Sequence, residues 1–274
     1  MFDSLRRVLA LAKITMIDGI KRNAFIGMLL FALAGQLSGV FFFEFIPRDI
    51  GRMANDLTFS VSFLAGLLYI LFHAVQVMAS GSQNRTIHTF LARPISRTEY
   101  LLGNFIGLAL LLLFLNLLMA GVGWFVLLDI KGNVFSAYFS YLSFTHYALS
   151  FLALYLIELT LLAVVVFFAS VVRGSFPVVL LTLAYYFICT GQPVVRESVM
   201  QKFTDKPDGF LPVFFKVLSG IFPDFSRLDF KSMVIDKDDM FIASKHLPIL
   251  GTFSLYVVVL LWFASIFFRK KDIL

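Results

Sequence analysis

The chain has 274 residues, 59% of them hydrophobic and only 15% charged, against about 25% charged in an ordinary soluble domain. A mean hydropathy of +0.89 and 34 phenylalanines argue for a membrane protein, and the net charge of +6 is not laid out as the basic, aromatic-studded platform that a nucleic-acid partner requires, so lipid headgroups are the expected counterions. The single cysteine, Cys189, excludes an intrachain disulfide and a Cys-rich metal cluster.

From the N-terminus, Phe2, Leu5, Val8, Leu9, Ala12, Met16 and Ile20 recur at helical spacing, with Asp3, Arg6, Arg7 and Lys13 on other faces. This predicts an amphipathic helix over 2–22 lying in the membrane interface, its long basic side chains reaching the headgroups. No A-x-A-like cleavage site follows the charged start, so the N-terminus is expected to be retained.

Runs near 24–46, 57–80, 100–128, 147–171, 175–195 and 248–268 are each long and apolar enough to cross a bilayer core of about 30 Å as a helix. The predicted fold is all-α, a single polytopic membrane domain of six spans. Gly35 with Gly39, and Gly103 with Gly107, form G-x-x-x-G faces that let another helix approach closely, within the chain or between subunits. Arg173-Gly174-Ser175 makes the connection between the fourth and fifth spans very tight.

The second and third spans are separated by a polar segment, 81–99. Ile87, Phe90 and Leu91 stand at helical i, i+3, i+4 spacing, while Arg85 and His88 fall elsewhere on the wheel. A short amphipathic helix is therefore expected, and Pro94, which also biases Arg93 toward an extended backbone, stops it. Ser96 and Glu99 then form the S-x-x-E capping box, with Arg97 between them and Ile95 and Tyr100 placed to close a hydrophobic staple. The third span should start from this elbow at a fixed angle.

Lysine and arginine placement sets the orientation. Arg6, Arg7, Lys13, Lys21, Arg22, Arg85, Arg93, Arg97, Arg173, Arg269, Lys270 and Lys271 all belong to one side, whereas the short loops of the other side hold only Arg48, Arg52 and Lys131. Both termini and the elbow are expected in the cytoplasm. The loop 196–247 then lies outside, and its semi-apolar part, Phe210 to Phe230, is expected to form short helices against the outer leaflet.

Few residues could carry chemistry. No G-x-x-x-x-G-K-[ST] occurs, so P-loop hydrolysis of ATP is not expected of this chain. His73, His88, His146 and His246 lack metal-ligand spacing, and Asp236, Asp238 and Asp239 lack the glycine and distal glutamate of a calcium loop, so no metal site is expected. His73, near Gln76, reads as a hydrogen-bonded residue between helices. Glu158 differs, because it sits at the middle of the fourth span, where a charge costs at least ~2.5 kcal/mol and faces a bundle interior or cavity. It reads either as a substrate or proton contact or as a hydrogen-bonded packing residue; Asn116 and Gln36 are weaker pathway candidates, and all three also fit as polar glue between helices.

The elbow sequence Arg85-Thr86-Ile87, Leu91-Ala92-Arg93-Pro94-Ile95-Ser96-Arg97 and Glu99-Tyr100-Leu101-Leu102-Gly103-Asn104-Phe105 resembles the cytoplasmic coupling segment of ABC type-2 exporter permeases, nearest the group associated with maturation of copper enzymes. Ile221-Phe222-Pro223-Asp224-Phe225 with Asp229-Phe230 is similar to the proline-containing turn of that family's outer loop, and Arg269 to Leu274 to its short basic-acidic ending. The resemblance implies a transmembrane subunit in a bacterial cytoplasmic (inner) membrane, paired with a second copy or a homologous permease. It also implies a separate P-loop ATPase subunit that binds ATP and Mg, docks on the segment around Arg85 to Arg97 and drives export. An ion-coupled secondary transporter using Glu158 is the alternative. A membrane-embedded enzyme would need several acidic or histidine side chains at one depth, where the sequence supplies Glu158.

Overall fold

A computed structural model describes residues 2–42, 49–80, 96–133, 139, 141–202, 214, 217–218, 220–235 and 241–270. Among them the regular structure is entirely helical: α1 (Phe2–Lys21), α2 (Asn23–Phe42), α3 (Ile50–Leu68), α4 (Arg97–Asn133), α5 (Phe144–Val171), α6 (Ser175–Lys202) and α7 (Ala243–Lys270). Two short 3-10 turns, Phe225–Leu228 and Lys231–Val234, precede α7. Helix α3 runs on without a break into the wider π-helical coils Tyr69–Ala74 and Gln76–Ser80.

Among the described residues, five helical stretches are long and apolar enough to cross a membrane: Ile50–Ala79, Arg97–Asn133, Phe144–Val171, Ser175–Arg196 and Ala243–Lys270. The first expected span is represented by α2, whose apolar part, Phe25–Gly39, is shorter than the ~20 residues that crossing alone requires. The other helices outrun the lengths expected from hydropathy, because their polar ends continue the backbone hydrogen bonding past the apolar core. Helix α4 has 37 residues, about 55 Å at 1.5 Å per residue.

Helix α5 is the middle of the bundle. Two-thirds of its most apolar window is buried inside the protein, against 17% for α7. It lacks proline and glycine, so no break interrupts its packing on α3, α4, α6 and α7. Helices α3 and α5 run in the same direction and α4 opposes them, as the pairings of Phe59 with Tyr147 and Phe151, Gly66 with Glu158, and Gly123 with Thr58 and Tyr147 show. The hairpin from α5 to α6 turns on Gly174, whose φ of 101° lies in the left-handed region that glycine adopts without strain.

The bundle has two distinct ends. At the base, α1, the start of α4 and the end of α7 meet. At the cap, the two 3-10 turns fold over α3 and α5, placing Phe225, Leu228, Phe230 and Val234 in the core. Of the short helices expected between Phe210 and Phe230, Phe214, Val217, Leu218, Gly220 and Ile221 are helical, and the 3-10 turns that follow are sealed onto the bundle. Asp224 caps the first by accepting from the Ser226 amide at 3.1 Å, and lies 3.9 Å from Arg196 and 3.5 Å from Arg227. Asn55 donates to the Lys231 carbonyl at 2.8 Å and the Ser150 hydroxyl to the Phe230 carbonyl at 2.8 Å.

Helix α1 is where the sequence expectation changes most. It climbs alongside the first third of α4, with Val8, Leu11, Ala12 and Thr15 buried. The stripe expected to face the membrane is therefore split: Val8 and Ala12 pack on α4, while Leu5, Leu9 and Ile20 point outward. The close approach is possible because Gly103 and Gly107 carry no side chain. A Cβ at Gly103 would lie 2.6 Å from Leu11 Cβ, and one at Gly107 2.7 Å from the Ala12 carbonyl oxygen. This G-x-x-x-G face is filled by a helix of the same chain. Gly39 is buried, and a Cβ at Gly35 would make ordinary contact, 3.4 Å, with Val61 of α3.

Candidate functional site

Helix α4 is the post on which the buried polar groups hang. An α-helix uses one lone pair of each carbonyl, and side chains from neighbouring helices take a second on several of them. Tyr69 donates to the Leu108 carbonyl at 3.0 Å, Tyr155 to Ala109 at 3.2 Å, Gln36 to Met119 at 3.1 Å and Tyr147 to Ala120 at 2.8 Å. The result is a series of polar layers from base to cap, each tied to α4.

In the middle layer Glu158 is completely buried. Asn116 of α4 donates its side-chain amide both to Glu158 Oε2 and to the Leu112 carbonyl. Glu158 Oε1 and Asn116 Oδ1 have no hydrogen-bond partner among the described residues. The carboxyl lies flat on Gly66 of α3, where any Cβ would overlap it. Glu158 and Asn116 are thus brought together as the sequence suggested. Gln36 sits in the next layer toward the cap, donating to Ser62 at 3.3 Å as well as to Met119, with its Oε1 unpartnered.

The layer on the base side holds Tyr69 and His73 of the π-helical stretch, their rings stacked at 5.3 Å. His73 is buried between helices, as expected, but its Nε2 has no partner among the described residues and faces Gly19 of α1. The π-helical winding leads directly to residue 80, where the elbow begins. Such winding frequently marks functional positions, and no sequence pattern announces it.

At the base, Ser96 and Glu99 form the capping box in full. The Glu99 amide donates to Ser96 Oγ at 3.2 Å, and the Ser96 amide donates to Glu99 Oε2 at 2.8 Å. Glu99 Oε1 also accepts from Ser4 at 2.6 Å and from Arg7 at 2.7 Å. Thr15 of α1 donates to Asn104 at 2.7 Å one layer higher. Arg97 donates to the Arg269 carbonyl at 3.2 Å, and Tyr100 stacks on Phe268. One turn of helix thus clasps the first and last helices of the chain. Arg85, Ile87, His88, Phe90, Leu91, Arg93 and Pro94 of the expected coupling segment, and Asp236, Asp238 and Asp239, lie outside the described residues.

Two cavities open beside these layers. One, of about 330 Å³, lies under the cap between α3, α5 and α6 and is walled by Phe59, Phe63, Tyr186, Phe225 and Phe230. The other, of about 390 Å³, is an almost wholly apolar groove between α4 and α5 that contains Gly121, Trp124 and Phe144 and reaches Asn116. Among the described residues no group of three or more His, Cys, Asp or Glu side chains could hold a metal ion. No family model and no curated protein matches the chain.

Proposed function

We propose that the chain is the transmembrane subunit of an ATP-binding-cassette exporter, six spans with both termini and the 81–99 elbow on the cytoplasmic side of a bacterial inner membrane. The observation that carries this reading is the clasp at the base. An elbow that enters α4 through Ser96 and Glu99 cannot shift without pulling on α1 through Ser4 and Arg7 and on α7 through Arg97 and Tyr100. Packed helices move as discrete rigid bodies, so a push delivered to residues 85–93 is passed to α1 and to the third and last spans together. The chain has no P-loop sequence, so ATP and Mg belong to a partner ATPase, and a second copy of the chain or a homologous permease completes the pathway.

A second reading, ion-coupled secondary transport, is favoured by Glu158 alone: a fully buried carboxyl at mid-span with one oxygen unpartnered. The two readings separate at the elbow. In the exporter, Ile87, Phe90 and Leu91 form the apolar plug that enters the ATPase, with Arg85 or Arg93 at its rim. Leu91→Asp would bury a charge there, at a cost of several kcal/mol. Affinity purification of the tagged chain from its native membrane should yield a P-loop subunit and ATP hydrolysis, and Leu91→Asp should lose both while remaining in the membrane. An eluate without ATPase, or one unchanged by Leu91→Asp, overturns the exporter reading.

A further inference from the structure

We propose that the cavity under the cap is a binding site for a lipophilic organic cation. The cavity has the size of a small-molecule site, about 330 Å³. Its walls present five aromatic rings, those of Phe59, Phe63, Tyr186, Phe225 and Phe230. Aromatic faces carry negative charge density and attract cations, most strongly where water is excluded.

The charged side chains that line the cavity, Asp229 and Lys231, sit 3.7 Å apart, and Lys231 is also 3.7 Å from Asp56. The ammonium is thus already engaged by two carboxylates and offers little to an anionic ligand. The floor sets the sign more firmly. It is made by Phe63 of α3 with Leu154 and Ile157 of α5. The next residues on those two helix faces, at i+3 and i+4, are Gly66 and Glu158, which touch each other. Beneath the floor therefore lies a buried carboxyl with Oε1 unpartnered, and the residue opposite it has no side chain.

A hydrophobic cation seated on the floor favours the ionised form of that buried carboxyl, and the aromatic walls add to the preference where water is excluded, so the sign of the ligand is expected to change affinity about tenfold. The inference supplies a substrate class for the proposed exporter and rests on that reading only for the direction of movement. Binding itself needs no nucleotide, so the site and the ATPase coupling stand or fall in separate experiments.

Tetraphenylphosphonium and tetraphenylborate share a shape and differ in sign, which makes them the probes of choice. Equilibrium binding of each is measured on the purified full-length chain in nanodiscs without ATP. Saturable binding of tetraphenylphosphonium is expected, with tetraphenylborate at least about tenfold weaker. Thr190→Trp, at an exposed position on the cavity rim, fills the space without touching the core and should abolish binding with no change in melting temperature. Gly121→Trp, in the separate groove between α4 and α5 where an added Cβ meets nothing within 4 Å, should leave binding intact. Glu158→Gln should narrow the preference between the two ions. Equal binding of the two ions, no saturable binding of the cation, or loss of binding in Gly121→Trp with retention in Thr190→Trp each overturns the proposal.

Discussion

A carboxyl at the centre of a membrane bundle needs a reason to be there, since burying its charge costs at least ~2.5 kcal/mol, and Glu158 meets that demand with one amide. Asn116 satisfies Oε2, Gly66 makes room for the flat of the group, and Oε1 is left unpartnered. Shape and hydrogen bonding make different predictions about substitution. Gly66→Ala forces the carboxyl off its seat, an overpacking that typically costs ~1–3 kcal/mol; Glu158→Ala leaves a void; the double variant puts the new methyl into that void. The expected result is a coupling energy of ~0.5–3 kcal/mol in favour of the double variant, read as melting temperatures of the purified chain in one detergent. Additive losses would mean that the two residues do not share the site. The position of Glu158 was legible because a lone acid in an apolar run is conspicuous, and Asn116 was visible for the same reason. Gly66 was not, because nothing in Leu64-Ala65-Gly66-Leu67-Leu68 distinguishes a glycine beneath a carboxyl from a glycine beneath a methyl group.

Among the described residues, elements written by local sequence are legible in it, and those that depend on a distant partner are not. The capping box joins positions three apart, so Ser96 and Glu99 revealed it directly. The pairing of Glu99 with Arg7 spans 92 residues, and the G-x-x-x-G at Gly103 showed that a helix would dock without showing that α1 is the helix. The π-helical coils after Leu68 had no signal, since their residues are ordinary helix formers. Because Glu99 has two jobs, its glutamine and alanine substitutions should separate them. Glutamine also closes a capping box, so Glu99→Gln keeps the start of α4 but loses the charge that holds Arg7, whereas Glu99→Ala loses both. Loss of the cap alone costs ~1 kcal/mol, and a partly exposed ion pair ~1 kcal/mol or less. Limited proteolysis near Lys13 should accelerate in both variants, while the melting temperature should fall further in Glu99→Ala. Protection of α1 in both would show that Gly103 and Gly107 hold it unaided.

On the scale of the whole molecule the open point is how often the chain crosses the bilayer. Five helices qualify by length and composition, and α2 falls short on its own. Yet α2 does not stop at one end of the bundle: Phe25 meets Tyr69 of the base-side layer, and Gln36 reaches Met119, toward the cap. A helix that rises beside α3 and α4 through those layers shares their depth, and Asn116 with Glu158 lies between them. Six crossings place Lys13 and Lys270 on one side and Lys131 on the other, which is also the arrangement that gathers the lysines and arginines of the short segments at the base and satisfies the positive-inside rule. Single cysteines at these three exposed positions, in a Cys189→Ala background, report this directly. On spheroplasts an impermeant maleimide should label position 131 and reach 13 and 270 only after permeabilisation. Labelling of 13 and 270 without 131 would invert the molecule and put the elbow outside, away from any ATPase. Labelling of just one of 13 and 270 would mean that α2 turns back within the bilayer and that the chain crosses five times.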